Sequence, residues 1–297
     1  MRSLRDFAPR RLGGAQRVRP PKVQAPRRPL LPSTPVRILH HPSGVTEVVL
    51  ADGARRNVLG RSTISAIEAV VSEPPVGTRV LVIRAEGPDF CAGYDLREAA
   101  EGDAESLIAH ESNFQPLRRA KVPIIAALQG NVIGGGLELA LAADVRIASP
   151  EMRMSIPANR LGLVYSMPGV QLLVDELGES MTRAMLLAGK VLDSSEAKSA
   201  GLIADVVEAD ALHASAIALG ETMASWSPEA TAGNRRVLDV VVGRLDDDTA
   251  ALRQASFRPG GRLEGSISRF APTPRSRRER FVARLRTFGR VRKPNVA

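Results

Sequence analysis

Gln129-Gly130-Asn131-Val132-Ile133-Gly134-Gly135-Gly136-Leu137-Glu138-Leu139 follows a buried-strand pattern, Pro123–Leu128 (PIIAAL), and runs into an apolar helix expected over Leu137–Ala143. Its Gly130–Gly136 section reads as a glycine-rich turn. Glycine belongs where a chain turns sharply or approaches a ligand closely. The first N–H groups of the helix that follows have no partner within it. A second junction of this kind, Asp89-Phe90-Cys91-Ala92-Gly93-Tyr94-Asp95-Leu96, follows Arg79–Ala85 (RVLVIRA). Two such junctions side by side offer two backbone donors to one oxygen, which is the design of an oxyanion hole.

The elements around the two junctions set the fold class. Val45–Leu50 (VTEVVL) reads as a strand, Arg61–Val71 as a helix with a partial apolar face (Ile64, Ile67, Ala69, Val70, Val71), and Val145–Ala148 as a further strand. A helix is expected over Ala104–Arg119. Continuous apolar strands alternating with helices predict an α/β fold with parallel sheets covered by helices. From Pro168 onward the pattern turns helical, over Val170–Leu177, Met181–Ala188, Ser194–Ala200, Ala211–Ser225 and Pro228–Val242. Ser194, with Glu196 in the first turn, reads as a helix start.

The chain has 297 residues and a net charge of +9, but the charge is unevenly placed. Residues 1–37 hold ten Lys/Arg against one acid, and residues 269–297 again ten against one; the body between them has 21 bases and 30 acids. An acidic body therefore carries two basic tails. Residues 1–35, rich in Arg and Pro, read as a disordered extension. Met1–Leu12 also resembles an organelle transit peptide, and a start placed too early would look the same. Basic tails favour polyanions, yet no aromatic platform is interleaved with these bases, so nucleic acid is not expected as a partner. No apolar run is long enough to span a bilayer, and no membrane partner is expected. The one cysteine, Cys91, excludes an intrachain disulfide.

Several function classes are excluded by motif. The glycine loop is neither G-x-G-x-x-G nor G-x-x-x-x-G-K-[ST], which argues against a dinucleotide or nucleoside-triphosphate site. No G-x-S-x-G elbow occurs, against an α/β-hydrolase. His40, His41, His110 and His213 have no metal-like spacing, so no metal site is expected. Cys91 reads as a small buried hydrophobe rather than a nucleophile.

The paired segments FCAGYDL (residues 90–96) and GGGLEL (134–139) resemble the crotonase (enoyl-CoA hydratase/isomerase) superfamily. KVPIIA (121–126), ADVRIA (143–148), RLGL (160–163) and the later AGKV, SEA, AGLI and VV (188–207) share its order and spacing, so the likeness covers roughly residues 36–270. It implies a crotonase-like spiral of ββα units with a helical C-terminal section. The expected organisation is a basic extension at 1–35, a β/α core with the CoA site at 36–205, a helical section at 206–268 and a basic tail at 269–297. The first hole donor would be the N–H of Tyr94 and the second that of Gly135. Ala92, Gly93, Asp95, Leu96, Arg97 and Gly134 would line the substrate and CoA site, with Arg97, and Arg55 or Arg56, reaching CoA phosphates. Coenzyme A would be part of the substrate, an acyl-CoA thioester, with no separate cofactor. Family members are usually trimers or pairs of trimers, and a homotrimer or homohexamer in the cytoplasm is expected.

The resemblance also implies a role for Glu138, at the position of one catalytic glutamate of the hydratases, although an acid there equally suits the helix dipole. Those hydratases carry a second glutamate after a proline. Here that segment is Met154-Ser155-Ile156-Pro157-Ala158, and alanine cannot transfer a proton. Tyr165 stands where the family's methylmalonyl-CoA decarboxylases carry a site tyrosine. Three functions remain open: hydration or isomerisation of an enoyl-CoA with Glu138 as acid/base, decarboxylation using the same hole and Tyr165, and non-catalytic binding of acyl-CoA or RNA.

Overall fold

The computed structural model describes residues 35–101 and 114–242. Residues 1–34 of the extension expected over 1–35, most of the helix expected over 104–119, His110, residues 243–268 of the expected helical section and the basic tail lie outside them.

Strand β1 (Val36–His40) runs antiparallel to β2 (Val45–Leu50), which lies parallel to β3 (Val80–Ala85). The parallel run continues through β4 (Ile124–Leu128), β6 (Val145–Ala148) and β9 (Asp205–Val206), giving a six-stranded sheet in the order β1-β2-β3-β4-β6-β9. Every residue of β2 and of β4 is buried. Strands covered on both faces favour continuous apolar sequence, which β4 (IIAAL) carries throughout and β2 (VTEVVL) breaks at the buried Thr46 and Glu47. A second sheet joins β5 (Asn131–Ile133), β7 (Arg153–Ser155) and β8 (Leu192–Asp193). The fold is mixed α/β with a largely parallel sheet, as the sequence predicts.

Helices cover the first sheet. In α1 (Arg61–Ser72) the buried residues are Thr63, Ile64, Ile67 and Val71, so the core-facing stripe is narrower than expected and Ala69 is exposed. Helix α2 (Leu96–Glu101) follows the first junction, the short α3 (Gln115–Arg118) precedes β4, and α4 (Gly135–Leu141) follows β5. After α5 (Ala158–Leu161) comes α6 (Met167–Ala188), which breaks at Gly178 (φ 74°, ψ 161°), where two separate helices were expected. Helices α7 (Ser194–Ser199), α8 (Leu212–Ala224) and α9 (Pro228–Val241) complete the described chain. Leu212, Ala216, Gly220 and Ala224 recur every fourth residue and are the buried residues of α8. Small side chains let this helix approach the sheet closely: a Cβ added at Gly220 would lie 3.1 Å from Val45 Cγ2. The C-terminal helical section thus supplies a cover for the first sheet.

Two expectations are corrected. Gly130–Gly136 is not a turn throughout, because Asn131–Ile133 forms β5 and starts the second sheet. The cap of α7 is Asp193, not Ser194: its carboxylate accepts from Glu196 N–H at 2.8 Å and Glu196 reaches back to Asp193 N–H at 3.2 Å, a capping box. The Ser194 hydroxyl instead donates to Pro150 C=O at 3.0 Å.

Candidate active site

The two glycine junctions lie against each other. Phe90 N–H donates to Gln129 C=O (2.8 Å), Cys91 N–H to Asn131 C=O (3.1 Å) and Ile133 N–H to Cys91 C=O (2.9 Å), a short parallel ladder. A third segment closes the other edge: Leu59 N–H donates to Gly93 C=O (2.8 Å) and Asp95 N–H to Leu59 C=O (3.0 Å). Backbone groups alternate along an extended chain. With Gly93 C=O and Asp95 N–H turned toward Leu59, the N–H of Tyr94 points away from it, on the side of the second junction. There Gly135 N lies 3.6 Å from where a Cβ on Gly93 would stand.

Each glycine of the triplet has its own reason. Gly134 takes φ 53° and ψ −118°, a conformation that L side chains rarely adopt. A Cβ on Gly135 would lie 2.6, 2.7 and 2.8 Å from ring atoms of Tyr94. A Cβ on Gly136 would lie 2.7 Å from Cys91 Cβ. The triplet is where the second junction seats against the side chains of the first.

Glu138 sits on the first turn of α4, where the helix dipole favours an acid, and is 1 % exposed. The Tyr94 hydroxyl donates to Glu138 Oε2 at 3.3 Å, and the Tyr94 ring stacks with Phe114 (centroids 6.4 Å apart, planes at 20°). From α6, a Cβ added at Gly169 would lie 3.2 Å from Tyr165 Cδ1 and 3.5 Å from Glu138 Oε2, and the Tyr165 hydroxyl lies 3.7 Å from where a Cβ on Gly134 would stand. Gly93, Tyr94, Gly134, Gly135, Glu138 and Tyr165 therefore converge. The side chain of Tyr94 was not anticipated as part of this group; the middle glycine of the triplet was the available signal.

The remaining expected residues lie on the rim. Ala92 N–H donates to Arg56 C=O at 2.9 Å. Leu96 and Arg97 are exposed at the start of α2. The Asp95 carboxylate caps that helix by accepting from Arg97 N–H (3.0 Å) and pairs with Arg55 Nη1 (3.0 Å). Arg55 also bonds Asp52 at 2.7 Å, and this bond, outweighing burial, raises its pKa above the ordinary arginine value. Arg56 pairs with Asp89 at 3.5 Å. Ala158 is 3 % exposed and packs in the main core cluster.

Burial pushes the Cys91 thiol up to about 12, so it stays protonated near neutrality and behaves as the packed hydrophobe expected. A polar cluster away from the junctions was not legible. Buried Glu47 on β2 accepts from or pairs with His41 Nε2 (2.6 Å), His213 Nε2 (2.9 Å) and Arg84 Nε. Burial alone would raise the Glu47 pKa; hydrogen bonds from Arg84 and His41 outweigh it and the net shift is downward. Among the described residues no group of three or more His, Cys, Asp and Glu could hold a metal ion, and no helix is long and apolar enough to cross a membrane.

Residues 41–255 match the family model for enoyl-CoA hydratase/isomerase. The chain is 34 % identical to human mitochondrial methylglutaconyl-CoA hydratase over 211 residues, which is 68 % of this chain and 57 % of that protein. It is 32 % identical to Escherichia coli 2,3-dehydroadipyl-CoA hydratase over 63 % of this chain and 74 % of the relative. It spans about three-fifths of the length of the human, mouse and rat methylglutaconyl-CoA hydratases. A crystal structure of an enoyl-CoA hydratase/isomerase from Mycobacterium abscessus superposes with TM-score 0.70 at 25 % identity, covering 80 % of this chain and 98 % of that one. One from Hyphomonas neptunium gives 0.71 at 26 % identity over 79 % and 94 %.

Proposed function

Because the chain belongs to the enoyl-CoA hydratase/isomerase family, we propose that it transforms an acyl-CoA thioester through an enolate held by the N–H groups of Tyr94 and Gly135, with Glu138 as acid/base. The observation that carries this reading is the placing of the Glu138 carboxylate three residues into the helix that Gly135 opens, beside the segment that bears Tyr94. A thioester oxygen received there would have its Cα and Cβ within reach of one carboxylate. Each backbone donor of such a hole is worth about 2.7–4 kcal/mol of transition-state stabilisation. Arg97, Arg55 and Arg56 on the rim supply positive charge for CoA phosphates, and the expected assembly is a trimer or a pair of trimers.

Assays with crotonyl-CoA and longer enoyl-CoA thioesters test the reading. Glu138→Gln should lower kcat by about 100-fold or more, the scale of general acid–base catalysis. Turnover unchanged in Glu138→Gln would remove Glu138 from the mechanism.

A second reading is favoured by Ala158. With no carboxylate at that position, decarboxylation of a malonyl-type thioester needs only the hole, since loss of carbon dioxide generates the enolate directly, and Tyr165 would then face the departing group. Release of carbon dioxide from methylmalonyl-CoA supports it; inertness toward that substrate beside clear enoyl-CoA turnover ends it.

A further inference from the structure

The Tyr94 side chain stands inside the site that its backbone helps to build. Its ring lies on Gly135, close enough that an added Cβ would be 2.6 Å from Cε2, and its stacking with Phe114 fixes its plane. The hydroxyl is thereby held 3.3 Å from Glu138 Oε2, across 44 residues of sequence. An acyl group held with its oxygen on Gly135 N–H, as proposed above, would lie beside this ring. Hydration needs two proton transfers, one from water and one to Cα, and Ala158 can perform neither.

We propose that Tyr94 and Glu138 form a proton relay in which the phenol supplies the transfer that Ala158 lacks; this rests on the hydration reading above. As water oxygen bonds to Cβ, the Glu138 carboxylate takes a proton from that water. The C=C pair moves toward Cα and the thioester oxygen, where the backbone N–H groups hold the charge. Tyr94 O–H gives its proton to Cα, and the enolate pair becomes the new C–H bond. The phenolate recovers a proton from the Glu138 carboxylic acid across their hydrogen bond. Carboxylate and phenol are regenerated, and one water is added across the double bond.

Wild type, Glu138→Gln, Tyr94→Phe and the double variant are compared on crotonyl-CoA, with thermal melting alongside. Tyr94→Phe keeps the ring on Gly135 and should lower kcat about 100-fold while KM stays within about threefold, because only the proton transfer is removed. The double variant should be no slower than the slower single, as befits two groups acting as one unit. Site-specific fluorotyrosine at position 94 should restore turnover and move the alkaline limb of kcat to lower pH. A side chain that merely props up Glu138 would leave that limb in place. The relay is overturned by a Tyr94→Phe enzyme that keeps kcat within about threefold while Glu138→Gln abolishes it. It is equally overturned by a fluorotyrosine limb that does not move. A wild-type chain inert toward every enoyl-CoA would bring down the hydration reading itself.

Discussion

Gly135→Ala asks whether the site is built as its contacts imply. The backbone does not require glycine there, since Gly135 has no positive φ. The obstacle is the Tyr94 ring, with three atoms 2.6–2.8 Å from the position of the new Cβ. The ring cannot simply slide, because it stacks with Phe114 and its hydroxyl is bonded to Glu138. Either the ring moves or the first turn of α4 does. Overpacking of this kind costs about 1–3 kcal/mol, which in a domain of this size lowers the melting temperature by about 2–12 °C. Displacing one hole donor costs about 2.7–4 kcal/mol in the transition state, a 100- to 1,000-fold loss in kcat. A double-mutant cycle isolates the cause. In a Tyr94→Ala background the new methyl group has room, so Gly135→Ala should change stability there by less than about 0.5 kcal/mol, the limit for uncoupled sites. Calorimetry and steady-state kinetics read both quantities. A single Gly135→Ala variant that melts and turns over like wild type, or one equally destabilised with and without Tyr94, would refute the contact between this ring and this glycine.

Three other outcomes follow from the structure. Glu47→Gln should destabilise the fold by about 3–5 kcal/mol, since it leaves Arg84 without its buried carboxylate. Folding depresses the Glu47 pKa, so its contribution is present above the ordinary carboxylate value and is lost as pH falls through the folded one; acid melting curves of Glu47→Gln should lack that loss. Cys91 should resist alkylation at pH 8 in the native protein and react fully once urea unfolds it, because burial holds the thiol near 12; native labelling at the rate of a free thiol would contradict its placement. Gly178→Ala should destabilise by about 1–3 kcal/mol although nothing lies within 4 Å of the new methyl group, because φ 74° with ψ 161° is a region open essentially to glycine alone; an unchanged chemical denaturation midpoint would show that α6 can run straight through.

The parts of the fold that could be read from sequence are those whose signal is local. Val45–Leu50, Arg79–Ala85 and Pro123–Leu128 are rich in Val, Leu, Ile and Ala because their strands are largely buried, and they come out within a residue of the observed bounds. Strands β5, β7, β8 and β9 have two or three residues each, too few to show any alternation, so the second sheet was invisible. The glycines of the candidate site, Gly93, Gly134 and Gly135, were legible for the same local reason. Its side-chain half depends on separations no pattern encodes. Tyr94 reaches Glu138 across 44 residues, and His213 reaches Glu47 across 166. The capping of α7 shows the same limit at short range, where Asp193 and Ser194 are both good cap residues and only the geometry of β8 decides between them.

Ala158 carries the argument from fold to chemistry. It opens α5 behind Pro157, is 3 % exposed and belongs to the core that also packs Tyr94 and Tyr165. A carboxylate placed there would enter apolar packing, where an ionised group is costly unless paired and otherwise shifts to its neutral form. The surroundings of Ala158 therefore suit an alanine and not an unpaired ionised glutamate. In the proposed mechanism proton transfer comes from the other wall, where Glu138 and the two tyrosines of the chain converge on the glycine triplet. Backbone donors that hold an enolate serve hydration and decarboxylation alike. Under the proposed mechanism, the choice between the two reactions rests on what those three side chains would do at Cα and Cβ.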